Sequence, residues 1–315
     1  MNLETLPLLS LTSEPADLAR DLGASFAQFG FALVTGHGLD PALIERAWAL
    51  TEALFAQPEA QKRACHIAGG GGARGYTPFG TEIAKGAAAH DLKEFWHVGR
   101  DLPAGHPLAA SMPPNVWPAH PAHFRQTFAA LYAELDRVGA AILSRIAVWL
   151  GLEAEWFDPA IADGNSVLRL LHYPPVPNDV AETAGGAIRA GAHEDINLIT
   201  LLLGAEEAGL ELMTKDGQWL PALPPEGALV VNIGDMLQRL TNHVLPSTTH
   251  RVRNPEDARA GLSRYSMPFF LHLRSDFLIE TLPGCISQEN PDRYPFPILA
   301  DDYLQERLRE IGLKR

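Results

Sequence analysis

Two cysteines, Cys65 and Cys285, are all that the 315 residues carry, and they stand far apart with no metal-ligand spacing. That scarcity argues against a disulfide framework and against a thiolate zinc site, and a chain this long can bury a core without covalent staples. Basic charge is also in deficit: 25 Lys+Arg against 38 Asp+Glu leave a net charge of -13. Such a field repels polyanions, so no nucleic-acid partner is expected. Long apolar runs are missing as well; none approaches the roughly 18 residues that a membrane span needs. The opening Met-Asn-Leu-Glu-Thr places an acid where a secretory signal needs positive charge. The expectation is therefore a cytoplasmic protein with reduced thiols and no membrane or nucleic-acid partner. No oligomeric state follows from the pattern.

What is present is ordinary globular material, 46% hydrophobic and 20% charged, with no internal repeat. At about 150 residues per domain the length allows two domains or one large single-core enzyme. The texture changes near residue 160. Before it, apolar spacing predicts helices from Pro15 to Gly30, from Pro41 towards Pro58, and above all from Phe124 to Trp149, where one stripe (Phe124, Phe128, Leu131, Leu135, Val138, Ile142, Ile146, Trp149) recurs at three- and four-residue steps. Phe31–Thr35 reads as a strand, and residues 69–80 and 101–121 as loops. After Ser166 come short apolar or alternating runs: Val167–Tyr173, Leu198–Leu203, Leu210–Met213, Trp219–Leu220, Ala228–Ile233, Thr248–Val252 and Tyr265–Leu273. Strands so short and so frequent predict a double-sheet barrel or sandwich. A final helix is expected with Asp301 or Asp302 as N-cap and Leu304, Leu308 and Ile311 on one face.

Gly70, Gly72 and Gly75 satisfy G-x-G-x-x-G, but no strand is predicted before them and Tyr76-Thr-Pro78 cannot start a helix, so the dinucleotide reading is set aside. The informative set lies in the strand-rich half. His193-Glu194-Asp195 is the one His-x-Asp of the chain, and in an extended segment residues two apart share a face. His250 follows 55 residues after Asp195 in another strand-like run. Two imidazoles and a carboxylate on a β scaffold make the facial set that holds Fe(II) with positions left open. The same three ligands also suit zinc, as in a hydrolase, or a barrel that only senses a ligand. Arg264-Tyr-Ser266 then places a guanidinium and a hydroxyl on one face, a clamp for a carboxylate.

With these motifs in place the sequence resembles the iron(II)- and 2-oxoglutarate-dependent dioxygenases, in the branch similar to isopenicillin N synthase. The resemblance runs through Leu6-Pro-Leu-Leu-Ser-Leu11, residues 29–38, residues 55–62, Leu168-Arg-Leu-Leu-His-Tyr-Pro-Pro175, Ala192-His-Glu-Asp195, Asn232-Ile-Gly-Asp235, His250-Arg-Val252 and Arg264-Tyr-Ser266. It implies an α+β fold with a mainly β core, a double-stranded β-helix (jelly roll, cupin-like) flanked by helices. Residues 1–160 would be a mostly helical N-terminal region, 161–280 the core, and 281–315 a C-terminal segment and helix.

It further implies His193, Asp195 and His250 as iron ligands, and Arg264, Ser266 and Tyr173 as the grip on 2-oxoglutarate. Fe(II), 2-oxoglutarate and O2 would together oxidise a small molecule, by hydroxylation as the default, releasing succinate and CO2. Leu171 departs from the Asn common in plant members, so the resemblance does not carry that residue's co-substrate hydrogen bond over to this chain, while the main ion pair through Arg264 is kept. His243 matches no ligand position. An alternative within the resemblance is an oxidase that does not use 2-oxoglutarate, with Arg264 and Ser266 gripping a substrate carboxylate. Tyr76, Glu94, Phe95 and His97 fall in segments similar to the family's substrate-facing region, with Glu94 and His97 also able to pair at i, i+3 on a helix.

Overall fold

The computed structural model describes residues 5–81, 92–175, 190–204, 209–253 and 262–310. Two sheets face each other. The larger has eight strands: β1 (Leu8–Ser10), β2 (Phe31–Thr35), β3 (Gly75–Thr77), β4 (Glu94–Gly99), β5 (Val167–Tyr173), β7 (Ile199–Leu203), β10 (Leu229–Ile233) and β12 (Arg264–Leu271). Their spatial order is β1-β2-β10-β7-β12-β5-β4-β3, antiparallel apart from the β1/β2 pair. The smaller sheet runs β6-β11-β8-β9, from β6 (Ala190–His193), β8 (Leu210–Met213), β9 (Trp219–Pro221) and β11 (His250–Val252). Phe31, Leu33 and Val230 of the large sheet share a buried cluster with Leu210, Leu212, Leu220 and Val252 of the small one. That shared core makes the molecule a two-sheet jelly roll.

The other face of the large sheet carries the helices. Period-two alternation sends Leu168 and Leu170, Ile199 and Leu201, Val231 and Ile233, and Met267 and Phe269 outward into one core with helix α1 (Pro15–Phe29), helix α2 (Pro41–Phe55) and helix α4 (Phe124–Trp149). Between α2 and α4 lies the short helix α3 (Glu59–Arg63), and α5 (Asp158–Ile161) follows α4. Helix α1 begins with Pro15 in its first turn and ends at Gly30, whose φ of 68° lets its N–H reach the Phe26 carbonyl. Asp40 caps α2 by accepting from the Ala42 N–H. The predicted stripe of α4 is its buried face, down to Ile146.

Several expectations need correction. Strands β1 to β4 come from the first 160 residues yet form both flanks of the large sheet, so the change of texture at 160 is not a seam in the packing. Residues 94–99 form a strand with all six residues buried, so Glu94 and His97 point to opposite faces and cannot pair as on a helix. Residues 75–77 of the expected 69–80 loop form strand β3, and with helix α3 before the glycines the order is the reverse of a dinucleotide cradle, in agreement with setting that reading aside. Residues 107–110 form a single 3-10 turn inside the proline-rich stretch. Helix α6 (Asp235–Leu240) follows β10 directly and was not anticipated. Helix α7 (Ala300–Glu310) starts at Ala300, which puts Asp301 and Asp302 inside its first turn, where the dipole favours them, and not at the N-cap. Ile311 lies outside the described residues. A two-stranded ribbon, β13 (Leu278–Ile279) with β14 (Ile298–Leu299), leads into α7. Among the described residues no helix is long and apolar enough to cross a membrane.

Helices α1 and α4 approach closely because α1 has glycine at the contact. A Cβ on Gly23 would sit 2.1 Å from Cγ of Trp149. Alanine ordinarily gains about 1 kcal/mol over glycine inside a helix, but here the indole must move, at a cost of about 1–3 kcal/mol. Urea denaturation of Gly23→Ala should therefore show net destabilisation; a stabilised variant would refute the close contact.

Candidate metal centre and its cavity

The two histidines meet because β6 and β11 pair in register, with His193 directly opposite His250. Their ring centroids are 4.4 Å apart. In each ring Nδ1 faces a backbone carbonyl, Gly191 O at 2.6 Å for His193 and Thr248 O at 3.1 Å for His250. A carbonyl only accepts, so Nδ1 carries the proton and Nε2 is left as the lone-pair donor on both rings. Strand β6 stops at His193, and Asp195 lies in the connection to β7 instead of on the strand. From there its carboxylate still reaches both rings, with Oδ1 3.9 Å from His193 Nε2 and Oδ2 3.9 Å from His250 Nε2. One ligand atom from each of the three residues lies within 4.8 Å of the others.

Asp195 is held by the opposite sheet. Thr200 Oγ1 donates to its Oδ2 at 2.5 Å and Asn232 Nδ2 donates to the same oxygen at 2.8 Å. Thr200 and Asn232 are themselves cross-strand partners on β7 and β10, and Asn197 donates to Thr200 Oγ1 at 3.1 Å. Burial works against the charge of Asp195, but the two histidines, Asn232 and Thr200 outweigh it and hold the carboxyl below its usual range. Burial, with His250 beside it, pushes His193 down to about 4. Neutral imidazoles and an ionised carboxylate are the protonation states that bind a divalent ion, and the donor set fits Fe(II) with coordination positions to spare.

The second motif lies further along the inner face of the large sheet. Arg264 pairs with Tyr173 and Ser266 with Leu171 across β12 and β5. The Arg264 guanidinium lies 5.4 Å from the centre of the Tyr173 ring, and Arg264, Ser266 and Tyr173 are all buried. Leu171 sits in an apolar cluster with Phe95 and Tyr173, which explains why a polar residue is not needed for packing there.

A cavity of about 830 Å³ opens beside His193 and Asp195. His97 is in its lining; His250, Arg264, Ser266 and Tyr173 are not. His97 donates from Nδ1 to the Gly72 carbonyl and accepts from Arg169 Nε at 2.6 Å, while Arg169 lies over the rings of Phe95 and Phe270 at 4.3 and 5.2 Å. Tyr76 and Glu94 go elsewhere. They face the helices, where Glu94 accepts from Lys62 at 2.7 Å and from Tyr76, and meets His172 Nδ1 at 2.7 Å. Of the four candidate substrate residues, His97 alone lines the cavity, with Phe95 on the same face of β4. His243 is apart from the metal cluster, bonded to the Tyr294 hydroxyl at 2.6 Å.

Residues that the sequence reading passed over include Thr200, Arg74 and His272. Thr200 was hidden inside an apolar run; its signal is a hydroxyl at an inward position next to Asn232. Arg74 and His272 both line the cavity, and burial pushes His272 down to about 4.

Comparison with known proteins places this geometry. The model of the 2OG-Fe(II) oxygenase superfamily matches residues 164–273, and that of the non-haem dioxygenase in morphine synthesis N-terminal region matches residues 3–120. The 2-oxoglutarate-Fe(II) type oxidoreductase hxnY of Emericella nidulans is 33% identical over 298 residues, covering 92% of this chain and 83% of that protein. A crystal structure of a 2OG-Fe(II) oxygenase family protein from Caulobacter crescentus superposes with a TM-score of 0.90 at 54% identity, covering 98% of this chain and 99% of the other. A Neurospora crassa protein crystallised with alpha-KG and thymine gives 0.85 at 29% identity, with 98% of each chain covered.

Two outcomes follow from this geometry. Asn232→Leu removes one donor that orients Asp195, and iron affinity measured by chelator competition should fall about 10–100-fold; an unchanged affinity would contradict the orienting role. His272 titrates near 4 when folded and near 6.5 when unfolded, so its contribution is full above pH 6.5 and is lost as pH falls towards 4. The metal-free protein should lose about 2 kcal/mol in urea between pH 7 and pH 5 through this group, a loss absent from His272→Leu.

Proposed function

The chain belongs to the iron(II)- and 2-oxoglutarate-dependent oxygenase superfamily, and on that premise we propose that His193, Asp195 and His250 hold the ferrous ion while Arg264, Ser266 and Tyr173 grip the far carboxylate of 2-oxoglutarate. Bound Fe(II) supplies the oxidising chemistry, by which O2 and 2-oxoglutarate convert a small molecule, releasing succinate and CO2, with hydroxylation as the default outcome. The reading is carried by one observation: three donor atoms, from β6, from β11 and from the connection after β6, lie within 4.8 Å of one another, each second nitrogen or oxygen already committed to a partner.

The chain's own part is placement. His193 and His250 bind through neutral Nε2 atoms, and Asp195 contributes one negative charge whose orientation Thr200 and Asn232 fix. Arg264 offers a planar fork, and Ser266 and Tyr173 add hydroxyl donors, so a dicarboxylate is held at the end remote from the metal. Phe270 and Val167 give the cavity an apolar wall beside the metal ligands, limiting water at the reacting carbon. Residues 161–280 would thus supply the whole metal and co-substrate machinery, while 1–160 and 281–315 supply cover and cavity wall.

The oxidase that spares 2-oxoglutarate is not favoured, since the relatives are named for that co-substrate; neither is a zinc hydrolase, which would have no use for the Arg264–Ser266 pair. The link to the isopenicillin N synthase branch rests on the N-terminal and core motifs together. A cytoplasmic location is supported by Cys65 and Cys285 both being free thiols.

Labelled 2-oxoglutarate under O2 should yield labelled succinate with Fe(II)-loaded protein. Arg264→Ala should weaken 2-oxoglutarate binding by about 2–5 kcal/mol. Equal affinity in the two proteins would remove the clamp from the account.

A further inference from the structure

Arg74 is a cavity-lining cation with no ion-pair partner among the described residues. Arg74 is 3% exposed and lines the cavity. Its Nη1 donates to the carbonyl of Ala73 at 2.7 Å, and Nη2 makes a long contact of 3.5 Å to Asn165 Oδ1. Its Nε is buried without a hydrogen-bond partner. No carboxylate pairs with it among the described residues, and burial pushes it down from the usual guanidinium range. The charge of Asp101 favours the cation in part, but burying a charge without a paired carboxylate costs several kcal/mol, and neighbouring residues maintain the arrangement. Gly99 leaves the space: a Cβ there would lie 1.9 Å from the Arg74 guanidinium carbon. Nearby on the cavity wall, His272 is buried with Nδ1 lacking a partner.

The position of Arg74 relative to the metal ligands is fixed by strand register. Asn232, Thr200, Phe270, Val167 and Gly99 are successive cross-strand partners on β10, β7, β12, β5 and β4. Asp195 is bonded to Thr200 and Asn232 at one end of this row, and Arg74 lies against Gly99 at the other. Three strand spacings of roughly 4.8 Å separate Thr200 from Gly99, or about 14 Å. The stretch between them, Phe270 and Val167, is apolar.

We propose that Arg74, with Asn165 and His272 beside it, is a carboxylate-binding subsite for the prime substrate, which is an amphipathic acid with an apolar body lying over Phe270 and Val167 and its oxidised carbon at the metal end. This rests on the oxygenase reading of the cavity. It separates two anion sites by role: Arg264 for the co-substrate and Arg74 for the substrate. A guanidinium fork with an amide and an imidazole around it suits a planar carboxylate.

The test uses the full chain with Fe(II) and 2-oxoglutarate under anaerobic conditions, titrated calorimetrically with the phenylalkyl carboxylates from phenylacetate to phenylvalerate and with their primary amides. At least one acid should bind tenfold or more tighter than its amide. Arg74→Gln should erase that preference. Asn165→Asp, a near-isosteric change that places a carboxylate next to the guanidinium, should erase it as well, which covers the case in which the glutamine variant fails to fold. If no acid binds more tightly than its amide, or if the preference survives in a folded variant, the subsite is refuted. Titration of 2-oxoglutarate into the wild-type protein is read separately: failure to bind it would sink the oxygenase reading and leave an acid preference standing on its own.

Discussion

The centre depends on a carboxylate clasped across two sheets. The two histidines belong to the small sheet and are brought together by backbone pairing alone. Asp195 leaves that sheet at its edge and is caught by Thr200 and Asn232 of the large one. The metal position is therefore a junction, and its geometry is only as good as the packing that sets the sheets face to face. The apolar cluster of Phe31, Leu33, Leu210, Leu212 and Val230 supplies that packing; Phe31 touches the site itself, its ring standing edge-on to His250 at 5.5 Å.

The same alternation that builds the core divides labour between the two faces of the large sheet. On β12, Met267, Phe269 and Leu271 enter the helix-covered core, while Arg264, Ser266 and Phe270 face the lumen. On β5, Leu168 and Leu170 go outward, and Arg169, Leu171 and Tyr173 inward. A one-residue slip would exchange these sets, moving charged groups into the hydrophobic core. Register is thus under strong control across both faces, and the proposed site residues need no special backbone conformation to be presented.

Much of this was readable in advance. The helix over residues 124–149 and the strands at 167–173 and 210–213 follow from apolar period and were bounded by turn residues. Arg264 and Ser266 were readable because their two-residue spacing lies on a strand; His193 and Asp195 were found by the same spacing although Asp195 lies just past the end of its strand. Strand β4 was not readable, because Glu94, Trp96 and His97 do not alternate in polarity; both its faces are buried, one against helices and one against the cavity. Glu94 shows why a buried acid misleads: Lys62 neutralises it locally and His172 hydrogen-bonds it, so its chemistry serves packing and never reaches the lumen. Arg74 escaped for the opposite reason, since an arginine in a glycine-rich loop reads as solvated until the fold closes over it.

The most direct measurement is anomalous diffraction at the iron edge from crystals of the Fe(II)-loaded protein. The account predicts one iron peak within bonding distance of Nε2 of His193, Nε2 of His250 and one carboxylate oxygen of Asp195. Iron bound elsewhere, or bound with the His250 ring out of reach, would contradict it.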